Sequence, residues 1–172
     1  AVFQLVDVPA KISPIEAAFN LIFSEKPYNA VRFISGKFKK ELKRLILEND
    51  YDVIQLEGLY VCPYIPFIRK YSDALIAYRA HNIEFEIWER TAGLASGWLR
   101  LYFRNLSRRI RKFEKKWINK YDVLIPITER DASILNQMGN TKPFHVTQAG
   151  IDSSSLLPTA KNLDHPSLFH IG

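Results

Sequence analysis

Three short apolar runs restrict the folds open to this 172-residue chain: residues 53–56, 74–78 and 123–127. Each is followed by a polar cluster and then by residues spaced as in a helix, and residues 144–147 supply a fourth run. The runs lack the strict apolar–polar alternation of a half-exposed strand, so they read as strands covered on both faces. Strands alternating with helices predict a parallel sheet with helices on both faces. The expected fold class is therefore α/β, Rossmann-like.

Helical spacing fills the intervals between these strands. Pro14 suits the first turn of a helix capped by Ser13 and running to about Ser24, with Ile15, Phe19 and Phe23 on one face. A second helix over residues 37–49 turns Phe38, Leu42, Leu45 and Ile46 inward. Pro63 and Pro66 open a short helix towards Tyr71, and Asn82 is placed to cap a helix from Ile83 towards Thr91. The longest pattern, about 98–120, repeats Leu99, Tyr102 or Phe103, Leu106, Ile110, Phe113 and Trp117 at three- and four-residue steps. Thr128 caps a further helix that ends at Gly139. Residues 2–8 also read as a strand, stopped by Pro9. Residues 153–166 suit a linker, and residues 168–172 the start of another strand.

The length fits one domain with a sizeable core. A single cysteine, Cys62, excludes an intrachain disulfide, and no apolar run approaches the roughly 20 residues needed to span a bilayer. Neither a dinucleotide-binding nor a P-loop glycine pattern occurs, and no GxSxG elbow presents a serine. The four histidines, His81, His145, His165 and His170, show no metal-ligand spacing among themselves or with Cys62. The excess charge is +6, and much of it lies on the longest helix: Arg100, Arg104, Arg108, Arg109, Arg111, Lys112, Lys115 and Lys116, opposed by Glu114. Such a face is either an ordinary solvated one or a docking surface for an anionic membrane or a nucleic acid.

The densest polar cluster follows the run at 74–78: Arg79, His81, Asn82, Glu84, Glu86, Glu89 and Arg90. In open α/β sheets, ligands bind at the carboxyl ends of the strands, which places His81 at the expected crevice. Glu57 and Gly58 close the preceding strand in the same way. There a carboxylate can accept hydrogen bonds, and glycine admits a ligand close to the backbone.

Four stretches then occur in one order: 51–58 (YDVIQLEG), 79–84 (RAHNIE), 126–131 (PITERD) and 150–152 (GID), followed by 169–172 (FHIG). Together they resemble the amino-terminal half of a retaining glycosyltransferase of the GT-B fold, family 4, over about residues 49–172. The resemblance implies an acceptor-binding Rossmann-like domain at 1–152, with 153–172 as interdomain linker and start of a second domain. It implies transfer of a sugar from a nucleotide-sugar donor to a glycan or lipid-linked acceptor, with retention and without a metal or other cofactor. His81 would lie near the transferred sugar. Glu57, Gly58, Arg79, Asn82, Glu129, Arg130 and Gly150 would serve donor or acceptor binding. The family's first strand–helix–strand unit and its donor-binding domain are not matched, so this stretch alone is expected to be inactive. An exposed strand edge at 53–56 is then expected to favour a homodimer. The implied setting is cytoplasmic, peripheral on the inner membrane face, in surface polysaccharide or glycolipid synthesis. A non-catalytic α/β binding module with a basic helix is the competing expectation.

Overall fold

A computed structural model describes residues 3–8, 11, 13–24, 26–148 and 150. The three apolar runs form parallel strands β1 (Val53–Glu57), β2 (Leu75–Ala80) and β3 (Val123–Pro126), hydrogen-bonded in the order β1-β2-β3. Gln55 lies opposite Ala77, and Ala77 opposite Val123. The central strand β2 buries Ile76, Ala77, Tyr78 and Ala80, as expected of a strand covered on both faces. Helices flank the sheet: α1 (Pro14–Phe23), α2 (Tyr28–Val31), α3 (Gly36–Glu48), α4 (Ile65–Ile68), α5 (Glu84–Leu94), α6 (Gly97–Trp117) and α7 (Glu129–Gln137). A 3₁₀ turn over Leu59–Tyr64 joins β1 to α4.

The core forms where helical periodicity meets the sheet. Leu106, Ile110, Phe113 and Trp117 of α6 are buried, as their spacing predicts. Trp88 of α5 stacks on Phe103 of α6 at 5.9 Å, and Ser107 Oγ donates to Phe85 O at 3.0 Å, so the two helices form a tight hairpin. Under α3, Phe38 packs against Tyr64 at 4.9 Å. The Tyr64 hydroxyl accepts from Ser35 N and donates to Phe33 O, both at 2.8 Å. The thiol of Cys62 is fully buried beside Gly58, its Sγ donating to Gly58 O at 3.9 Å, and burial raises its pKa well above the ordinary thiol value.

Several expectations are corrected. Residues 3–8 form no strand: Phe3 and Leu5 are exposed, and the Gln4 side chain instead meets Glu41 and Arg44 on α3. Alternating residues become a strand only when a neighbouring edge offers N–H and C=O groups, and this stretch lies against a helix. Ile15, Phe19 and Phe23 of α1 share a face as predicted, but that face is exposed. Residues 144–147 run beside β3 with a single bridge, Leu124–Phe144, rather than as a full strand. His145 N donates to Leu124 O and Thr147 N to Pro126 O, each at 3.0 Å; Pro143 has no N–H with which to extend the ladder. The segment 153–172 lies outside the described residues.

Candidate functional site

The parallel register brings the carboxyl ends of β1 and β2 side by side, with Glu57 opposite Arg79. Gly58 N then donates to Arg79 O at 3.0 Å, which holds the two strand exits together. Gly58 has φ 89° and ψ 164°, a conformation reserved almost wholly for glycine. A Cβ built there would stand 3.8 Å from His81 Cδ2, so the imidazole lies beside this glycine without filling the space above it.

His81, immediately after β2, reaches across to β1: its Nε2 lies 2.6 Å from Glu57 Oε2. Both side chains are about half exposed. Glu57 Oε1 also accepts from Gln55 Nε2 on the same face of β1. An ionised carboxylate can only accept, so in the neutral imidazole the proton sits on Nε2 and Nδ1 is left as an acceptor. The arrangement offers a ligand one oriented acceptor nitrogen, a carboxylate and a bare stretch of backbone at Gly58.

A second layer lies behind this pair. Glu84 accepts from Tyr60 Oη at 2.8 Å. Burial raises its carboxyl pKa, against the opposing pull of that hydrogen bond and of His81. Burial likewise raises the Tyr60 phenol. Across the mouth, Arg130 at the start of α7 donates to both carboxylate oxygens of Glu86 on α5, at 2.9 and 2.7 Å, and lies 3.4 Å from Asp131 Oδ1. Thr128 Oγ1 caps α7 by accepting from Asp131 N at 3.0 Å.

The structure thus brings Glu57, Gly58 and His81 into direct contact and leaves others apart. Arg79 lies within β2, its Nε buried with no hydrogen-bond partner. Arg130 is engaged with Glu86, while Glu129, Asn82 and Gly150 are exposed. Asn82 is not the cap of α5. That helix begins at Glu84 behind Ile83, which has no side chain able to accept, and the carboxylate of Glu114 on α6 takes the position instead, accepting from Glu84 N at 3.4 Å. Neither Glu114 nor the Tyr60–Glu84 pair was singled out from sequence. Glu114 carried a legible signal, since it falls four residues after Ile110 and three before Trp117, on the apolar face.

The basic helix divides as well. Arg100, Arg104, Arg108, Arg111, Lys112, Lys115 and Lys116 are exposed, with Arg111 over the Phe85 ring at 4.8 Å. Arg109 is not part of the open face: its Nη2 gathers Asn20 O at 3.1 Å, Lys26 O at 2.7 Å and Ser24 O at the end of α1. Among the described residues, no group of three His, Cys, Asp or Glu is placed to hold a metal ion, and no helix is long and apolar enough to cross a membrane.

No family model matches the chain, and no curated protein or solved structure is significantly similar to it.

Proposed function

We propose that this chain is the acceptor-side half of a retaining, nucleotide-sugar-dependent glycosyltransferase of the GT-B kind, with its working groups at the carboxyl pole of the sheet. The observation that carries the reading is the His81–Glu57 contact over Gly58, at the strand ends where α/β sheets receive ligands. Glu57 fixes the imidazole, and Nδ1 accepts from a hydroxyl of the sugar or acceptor. Gly58, which carries no side chain, leaves the floor open to a pyranose ring. The ordered motifs at 51–58, 79–84, 126–131 and 150–152 support the same reading. In this scheme the nucleotide is held by a second domain, and the acceptor is a glycan or a lipid-linked sugar.

The test is sugar transfer by a protein that joins this chain to its donor-binding domain, assayed against a panel of nucleotide sugars. Replacing His81 with Ala should lower kcat by about 10²–10⁴-fold, the range typical of a positioned acid–base group. Glu57→Gln should have a smaller effect in the same direction. Wild-type turnover by the His81→Ala enzyme removes the pair from the site.

A further inference from the structure

Between α1, the start of α3 and the carboxyl half of α6 lies an open groove of about 820 Å³. Arg109 shapes it by gathering the carbonyl groups at the end of α1, which pins that helix to α6. The floor is apolar: Leu21 and Phe23 of α1, Ile34, Pro63, and Phe113 and Trp117 of α6. Phe113 and Trp117 are buried, whereas Phe23 is 74% exposed and Leu21 and Ile34 are partly open. Phe19, also exposed, lies 5.2 Å from the Phe23 ring and extends the apolar surface along α1. Scattered exposed leucines need no explanation, but an apolar surface gathered in one concavity marks a place where something docks.

Cations border this floor from three walls. Lys26 follows α1, Lys39 belongs to α3, and Lys112 and Lys116 stand one turn apart on α6. No aspartate or glutamate lines the groove, and among the described residues none of the four lysines is in a salt bridge. Lys116 Nζ sits 5.5 Å over the Trp117 ring, where the charged border meets the floor. From Asn105 to Trp117 the groove follows about 18 Å of α6, room for a partner helix with apolar anchors at i, i+4 and i+7.

We propose that this groove receives an acidic amphipathic helix from a partner protein. The apolar face of that helix lies on Leu21, Phe23 and Ile34, and its Asp and Glu side chains face Lys26, Lys39, Lys112 and Lys116. The lysines are compact point charges on separate elements, which suits several carboxylates spaced along a chain. A single phosphate is better met by arginine forks converging on it, and the arginine of this groove is already committed to carbonyl groups. A nucleic acid would satisfy the lysines but leave Leu21, Phe23 and Ile34 in water. The inference does not depend on the transferase reading, which rests on His81 and Glu57.

The experiment is fluorescence anisotropy of the full chain with a labelled helical peptide of about 16 residues, built of Leu, Ala and Glu with the leucines on one face. One control disperses the same leucines around the helix, and another replaces Glu with Lys. The striped acidic peptide should bind about tenfold or more tighter than either control. An exposed charge pair is worth up to about fivefold, so Lys112→Gln with Lys116→Gln should weaken binding about tenfold. Phe23→Ser should lose about tenfold or more. Acetylation of the wild-type chain, read by mass spectrometry, decides the matter even if a variant folds poorly. Bound peptide should shield Lys26, Lys39, Lys112 and Lys116 and leave Lys70 and Lys115, which do not line the groove, reactive. No binding of the striped peptide, equal binding of the dispersed one, an unchanged lysine variant or uniform shielding overturns the proposal. So does tighter binding to duplex DNA or to phosphatidylglycerol vesicles than to the peptide.

Discussion

Glu114 of α6 accepts a hydrogen bond from the backbone N–H of Glu84, the first residue of α5, at 3.4 Å. Its side chain is only 2% exposed, and its Oε2 has no hydrogen-bond partner. A carboxylate at a helix amino terminus is favoured by the exposed N–H groups and the helix dipole. Burial opposes that, pushing the carboxyl pKa up to about 7 from 4.5 despite the hydrogen bonds from the Glu84 and Phe85 amides. The group that fixes the start of α5, just beyond His81, therefore changes charge near neutrality.

The first prediction concerns pH. With a folded pKa above the unfolded one, the native state holds more protons between pH 4.5 and 7, so this group makes stability fall as pH rises through that window. The full effect is about 3 kcal/mol, at 1.36 kcal/mol per pKa unit. Glu114→Gln keeps an acceptor for Glu84 N and removes the ionisation. It should match wild type near pH 4, below the unfolded pKa, and exceed it by up to about 3 kcal/mol at pH 8 in urea unfolding. Parallel stability–pH curves for the two proteins would show that Glu114 does not titrate in this range.

Gly58→Ala tests the strand exit. The added methyl meets His81 Cδ2 at an ordinary contact distance, so the loss comes from the backbone conformation and not from a clash. It should be about 1–3 kcal/mol, measured by chemical denaturation, with the fold retained. A neutral substitution would mean that the turn relaxes out of positive φ.

Arg109→Ala should loosen α1. One guanidinium nitrogen meets the Asn20, Ser24 and Lys26 carbonyls at that helix's carboxyl end, where a cation is favoured. Hydrogen bonds of this charged kind contribute about 1.5–3 kcal/mol. Amide exchange in α1 should quicken while β2 stays protected. Unchanged exchange in α1 would show that other contacts hold it.

The outer edge of β1 is unpaired among the described residues, and Val53 on it is exposed. Exposed edges recruit further strands. The chain should show a concentration-dependent dimer by light scattering, and Val53→Lys should return it to monomer. A wild-type monomer at all concentrations rules out pairing through this edge.

The strands and long helices were legible because their signals are local: apolar runs of four to six residues, three- and four-residue spacing, and Ser13, Thr128 and Gly139 at helix ends. What failed depended on partners distant in sequence. Asn82 has the chemistry of a cap, yet a carboxylate 30 residues from the helix start takes its role. Residues 3–8 have the alternation of a strand but lie against α3 and pair with no strand. His81 was legible as a strand-end residue; its contact with Glu57 was not, because it depends on the lateral approach of two strands 24 residues apart. Arg109 looked like its basic neighbours, and only the return of α1 across α6 sets it apart.

Cys62 gives the candidate site a clock. It is the one thiol in the sequence, sealed in the turn directly after Gly58, with its sulfur against the Gly58 carbonyl. An alkylating reagent can reach it only when that turn opens, so the labelling rate counts openings of the segment that carries the site. A compound that settles on Glu57, Gly58 and His81 stabilises the closed form and slows labelling in proportion to its occupancy. Sugars, nucleotides and lipid-linked glycans can thus be ranked by the protection they give one sulfur atom, before any reaction has been observed.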